Sequence, residues 1–85
     1  MRILHTILSS GFAGTERATA EMCNALCATH EVLLVVRRAH RAASGASILD
    51  HLDPKVAVRE IGNWFPGPAL RRTIREWRPE VIHAH

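Results

Sequence analysis

Residues 31–37 read Glu-Val-Leu-Leu-Val-Val-Arg, with five consecutive apolar positions between two charged ones. No other stretch constrains the fold as much. The run is too short for a stable helix, and its lack of alternation leaves no face for water, so it describes a strand buried on both sides. Strands of that kind belong to parallel sheets with helices on both faces. A second apolar run, residues 3–8, comes earlier in the chain. Between the two lies a glycine-bearing turn, and then Ala18, Met22, Ala25, Leu26 and Thr29 at helical spacing. That stripe is expected to face the sheet, with Glu16, Arg17 and Glu21 off it and the helix ending near Thr29 and His30.

The remaining chain repeats the alternation. Ser47 and Asp50 have the spacing of a capping box, so a short helix to about Leu52 is expected, closed by Pro54. Residues 55–61 alternate, with Val56 and Val58 inward and Lys55 and Arg59 outward; charges on a strand protect a sheet margin. Pro68 suits a first helical position, Leu70, Ile74 and Trp77 mark one face, and Arg78-Pro79 ends that helix. Residues 81–85 form the fourth strand. Strand and helix alternate throughout, which predicts an α/β fold: a partial Rossmann-like, three-layer arrangement with four parallel strands in the order 3-2-1-4 and helices on both faces. Residues 80–85 read as a strand with no helix after it to cover it, so the residues are expected to be the first part of a longer protein. By themselves 85 residues supply a core near the lower limit of independent stability.

In that order the first and fourth strands are neighbours, and the crevice at their C-terminal ends is where open α/β sheets take ligands. Residues 9–15 and 83–85 meet there. Gly11 and Gly14 permit a positive φ or a close backbone approach, and Thr15 can cap the helix or hold an anion with its hydroxyl. The N-terminus of the helix that follows adds unpaired N–H groups and a positive dipole end, which favour phosphate. A purely structural turn explains the same glycines. The pattern is neither Gly-x-Gly-x-x-Gly nor a P-loop, and Arg37 and Arg38 stand where an NAD-binding protein places an acid, so NAD is disfavoured while an NADP 2′-phosphate fits.

His83 and His85 alternate along the last strand. His85, at its end, is the better candidate for touching substrate, and His83 is expected to be a core histidine. The two could share a metal only with a third ligand, which the sequence does not display. His5 is expected to be buried mid-strand. Cys23 and Cys27 have neither a Cys-x-x-Cys spacing nor a secretory context and read as small apolar core residues. Ten of the eleven basic residues are Arg, and the formal charge of +3 suits anionic partners. The Arg-rich helix with Trp77, together with the Trp64-Phe65 loop, offers a basic aromatic surface for acidic lipid. No run of about 18 apolar residues is present to span a membrane.

Four segments together resemble the GT-B glycosyltransferases of family 4. They are Met1-Arg-Ile-Leu-His-Thr-Ile, Gly11-Phe-Ala-Gly-Thr-Glu-Arg17, His30-Glu-Val-Leu-Leu-Val-Val-Arg37 and Arg78-Pro-Glu-Val-Ile-His-Ala-His85, in the family's order and across nearly the whole chain. The resemblance implies two Rossmann-like domains facing a cleft, with residues 1–85 forming the N-terminal part of the first. It implies transfer of a sugar from a nucleotide-sugar donor to a lipid-linked or polysaccharide acceptor in cell-envelope glycan synthesis. No metal or cofactor is implied; the nucleotide-sugar is a co-substrate. Gly14 is then the backbone contact to the donor's phosphates, with Gly11 and Thr15 supporting it and His85 at the cleft rim. Glu16 and Arg17 act in helix packing and first-turn electrostatics.

Two positions depart from the family's pattern. Ala13 replaces one of its paired glycines, and Thr29 replaces the glycine before His30. The family's transfer-step histidine and C-domain carboxylates lie outside this stretch, so these residues alone are not expected to turn over. The implied location is cytoplasmic, with a peripheral contact to anionic membrane and no nucleic acid. Two other readings remain: an NADP-dependent Rossmann-type reductase, and a non-catalytic basic module that binds acidic lipid or nucleic acid.

Overall fold

A computed structural model describes residues 1–7, 14–37, 48–62 and 66–84. Its elements are β1 (Arg2–Ile7), α1 (Gly14–Leu26), β2 (Glu31–Arg37), a 3-10 turn (Ile48–His51), β3 (Ala57–Ile61), α2 (Pro66–Trp77) and β4 (Val81–Ala84). The strands form one sheet in the order β3-β2-β1-β4, and every pair is parallel, as expected. The chain crosses the sheet one way through α1 and returns through α2, so crossovers of one hand put the two helices on opposite faces.

Packing follows from that topology. On one face Ile7, Val32, Leu34 and Val36 meet Ala20 and Cys23 of α1, with Ile48 and Val56 completing the cluster. On the other, Leu4, Leu33, Val35 and Ile61 meet Ala69, Leu70, Ile74 and Trp77 of α2. The apolar run of β2 thus feeds both layers alternately, which is why it carries no polar position. Full burial of a Val, Leu or Ile contributes about 1.5–3 kcal/mol, so β1 and β2 at the centre hold the fold together. Trp77 is half-buried against this cluster, and its ring also lies 4.5 Å from the Arg2 guanidinium.

Five local expectations need correction. The buried face of α1 is Glu16, Thr19, Ala20 and Cys23, while Ala18, Met22 and Ala25 face solvent. Small side chains bring the helix close to the sheet, and the longer Met22 lies outside at 37% exposure. The helix also stops at Leu26, and a turn closed by bonds from the Thr29 and His30 N–H groups to the Leu26 carbonyl follows it.

Val56 is buried and Lys55 exposed, as expected, but in β3 the other two positions, Val58 and Arg59, have the opposite phase. Ile61 and half-buried Arg59 lie on the α2 side, and Val58 is exposed on the other. α1 covers β1 and β2 and does not extend over this edge strand; Val56 is buried in the turn before it. Arg59 is not outward: its Nη1 donates to Thr73 Oγ1 at 3.5 Å and lies 3.8 Å from Glu76 Oε2. Finally, α2 begins at Pro66 rather than Pro68.

Among the described residues β4 pairs only with β1, and all four of its residues are exposed. His83 is therefore not a core histidine, because neither helix reaches over the strand that carries it. The Ser47 position of the expected capping box lies outside the described residues.

Candidate functional site

The order in which strands are added reverses between β1 and β4, which run parallel. β1 sends the chain through α1 to β2 on one side, while β4 enters from α2 on the other. Register places Ile3 beside Val81, His5 beside His83 and Thr6 beside Ala84, so the C-terminal ends of the two strands lie together. The switch-point geometry expected from strand order is present.

α1 starts at Gly14, with Thr15 as its second residue. Their backbone N–H groups belong to the first turn, where no preceding carbonyl of the helix accepts them, and the helix dipole adds to their positive character. Glu16, also in that turn, is only 5% exposed. Its burial was missed because the apolar spacing counted from Met22; counting three, four and seven residues back from Cys23 finds Ala20, Thr19 and Glu16. A carboxylate in the first turn is stabilised by the same dipole that attracts an external anion. Gly11 and His85 lie outside the described residues, as do Ser9, Ala13, Arg38, Trp64 and Phe65. Of the four expected contact residues, the structure therefore places the backbone of Gly14 and Thr15.

His5 is buried, as expected, and His83 faces solvent. Their side chains share the α1 side of the sheet, and the ring centroids are 5.3 Å apart at a tilt of 42°. This contact joins the centre of the sheet to its edge just below the strand ends. Spacing along a single strand could not reveal it, because the partner of His83 is on β1. Among the described residues no three His, Cys, Asp or Glu side chains are grouped to hold a metal ion.

The cysteines do not add a nucleophile. Burial, and then the neighbouring Cys27, push the Cys23 thiol up from 9.0 to about 11, which keeps it protonated at neutral pH. Cys27 is half-buried and its thiol donates to the Asn24 carbonyl at 3.2 Å. Both are free thiols, as the sequence indicated.

Comparison of the chain with protein-family models, with characterised proteins and with solved structures finds no match.

Proposed function

We propose that these residues are the N-terminal part of the first Rossmann-like domain of a GT-B glycosyltransferase of family 4. The enzyme moves a sugar from a nucleotide-sugar to a lipid-linked or polysaccharide acceptor in cell-envelope glycan synthesis, on the cytoplasmic side of the membrane. The observation that carries the reading is the start of α1 at the same end of the sheet where β1 and β4 lie side by side. Three of the four resembling segments supply β1, β2 and β4, and the Glu16-Arg17 pair falls in the first turn of α1. β4 adds support: its faces are uncovered, and it lacks the charges that protect β3, as in a sheet that continues into a larger domain.

In such a transfer the bond from the anomeric carbon to the donor's diphosphate breaks, and a bond to an acceptor hydroxyl forms. Negative charge collects on the departing diphosphate. The first-turn N–H groups of α1, held by a helix packed on the sheet, are preorganised to receive it. Glu16 is buried in that turn, and on this reading it serves helix packing and first-turn electrostatics.

The test is Gly14→Val in the full-length enzyme. Crowding the phosphate approach should lower transfer about 10²-fold, the scale of losing one preorganised donor, with the far-UV circular dichroism unchanged. Undiminished turnover would remove the first turn from the site. Binding of NADPH, without any response to nucleotide-sugars, would replace the reading with the reductase.

A further inference from the structure

The Nε of Arg37, at the C-terminal end of β2, is shut off from water and has no hydrogen-bond partner among the described residues. Arg2 Nε is enclosed in the same way, but Glu31 Oε2 lies 3.3 Å from it. Arg37 has no such carboxylate. All eight Asp and Glu of the chain are among the described residues, so each can be placed. Glu16, Glu21, Asp50 and Asp53 belong to α1 or to the turn that Asn24 ties to it, on the other face of the sheet. Glu31 and Glu80 stand at the starts of their strands, and Glu76, in the last turn of α2, holds Arg72 Nε at 3.2 Å. Glu60 precedes Ile61 on β3, so its side chain takes the face away from α2.

Leu33 and Val35 meet α2, and the alternation of a strand carries Arg37 to the same face. Its register partner is Ile61, and Ala69, near the start of α2, packs against the cluster that contains Ile61. The first turn of α2 contains no acidic residue, so the positive end of that dipole adds to the guanidinium instead of offsetting it. A Cβ on Gly67 would meet nothing within 4 Å, so the space beside that turn is open. A half-buried guanidinium with no carboxylate from its own chain is costly unless an external anion completes it.

We propose that Arg37 binds a carboxylate on the acceptor, which makes the acceptor an acidic sugar of the uronate class. That the carboxylate belongs to an acceptor rests on the transferase reading; that Arg37 takes a carboxylate does not. The choice of anion follows from the donors. A guanidinium presents Nε–H and one Nη–H as a planar fork that matches the two oxygens of a carboxylate. A phosphate has a third oxygen to satisfy, and the adjoining helix end is poor in donors, because Pro66 and Pro68 carry no N–H. The first turn of α1, with N–H groups at Gly14, Thr15 and Glu16, suits phosphate better. The two anion sites lie on opposite faces of one rim, at the ends of adjacent strands about 5 Å apart. A sugar bonded to a diphosphate at α1 stays on the α1 face, so a carboxylate on the α2 face belongs to the acceptor. A 2′-phosphate of NADP is the competing ligand for the same arginine.

The experiment follows the Arg37 Nε–H signal in proton–nitrogen correlation spectra of the full-length enzyme, assigned by its absence from Arg37→Lys. The probes are glucuronate, glucose and glucose 6-phosphate, which share a ring and differ in one substituent. Glucuronate should move the signal saturably, glucose should leave it in place, and glucose 6-phosphate should bind more weakly than glucuronate. By calorimetry Arg37→Gln should weaken glucuronate about 10- to 100-fold, the scale of a charge-assisted hydrogen bond, with the far-UV circular dichroism unchanged. Arg37→Lys keeps the charge without the fork and should recover only part of that loss. Arg71→Gln removes the same charge from an exposed position on α2 and should leave the affinity nearly unchanged. A signal that glucuronate does not move, an equal response to glucose, or equal losses from Arg37→Gln and Arg71→Gln overturns the inference. Tighter binding of glucose 6-phosphate, lost in Arg37→Gln, overturns it in favour of a phosphate. The transferase reading is tested separately by Gly14→Val: an enzyme that transfers sugar but ignores glucuronate loses only the carboxylate site.

Discussion

Removing one side chain, Asn24, should loosen the link between α1 and the edge of the sheet. Asn24 Nδ2 donates to the His51 carbonyl at 2.8 Å, and its Oδ1 accepts from the Asp53 N–H at 2.7 Å. The turn continues from there: Asp53 Oδ1 accepts from the Lys55 N–H at 2.8 Å, and the Asp53 carbonyl from the Val56 N–H at 3.0 Å. Val56 then enters the core beneath α1. A single amide thus satisfies one backbone acceptor and one donor in a segment that has no strand pairing of its own.

Asn24→Ala removes both bonds. The bond to His51 is exposed, so water replaces much of it, whereas the Asp53 N–H is partly buried and loses more. Net values of about 0.5–1.5 kcal/mol per bond, with the upper end for the buried donor, give a loss of about 2 kcal/mol. Alanine recovers about 0.5 kcal/mol as the better helix former, leaving a net loss of about 1.5 kcal/mol. Urea unfolding of the chain followed by circular dichroism should show the midpoint falling by about 1 M if m is near 1.5 kcal/mol per M. Asn24→Asp keeps the acceptor for the Asp53 N–H and should lose less than half as much. A midpoint for Asn24→Ala within error of wild type, or equal losses from both variants, would refute the clamp.

Two further outcomes follow from the packing. Cys23 keeps its proton in the fold up to about pH 11 while the unfolded chain releases it from 9.0, so its contribution is complete below pH 9 and is lost as pH rises to 11. Across that window unfolding free energy should fall by about 2–3 kcal/mol, at 1.36 kcal/mol per pH unit, and Cys23→Ala should flatten that part of the pH profile. Arg78→Gly relieves the left-handed backbone and should raise stability by about 1 kcal/mol in the same urea assay; a destabilised variant would count against strain at that residue.

Sheet order and layers were readable because they rest on coarse features: alternating element types, the unbroken apolar run of β2, and crossovers of one hand. Side-chain phase was harder. Two stripes of α1 have helical spacing, and hydrophobicity favoured the one with Met22. The buried one is built from Thr19, Ala20 and Cys23, whose virtue is small size. β3 misleads for another reason: an edge strand is covered unequally, so alternation alone does not say which face is inside. His83 was placed in the core because a short apolar strand looks the same at the centre and the margin of a sheet. Neither the Asn24 clamp nor the left-handed Arg78 leaves a sequence signal, since one uses backbone partners and the other occupies a glycine position.

The candidate rim joins two strands with unequal support. β1 has neighbours on both edges and helices on both faces, and Leu4, His5 and Ile7 are almost fully buried. β4 hangs from β1 alone, with Val81 and Ile82 at 43% and 49% exposure. Stabilising a developing charge requires donors that do not reorganise, so on the proposed reading that task falls to the β1–α1 side, where Thr19, Ala20 and Cys23 of α1 are buried against the sheet. The His83 imidazole of β4 meets the buried side through the ring contact with His5. A polymeric or lipid-linked acceptor varies in position more than a diphosphate does. On the proposed transferase reading, the better supported β1–α1 edge would take the phosphate and the exposed β4 edge the acceptor.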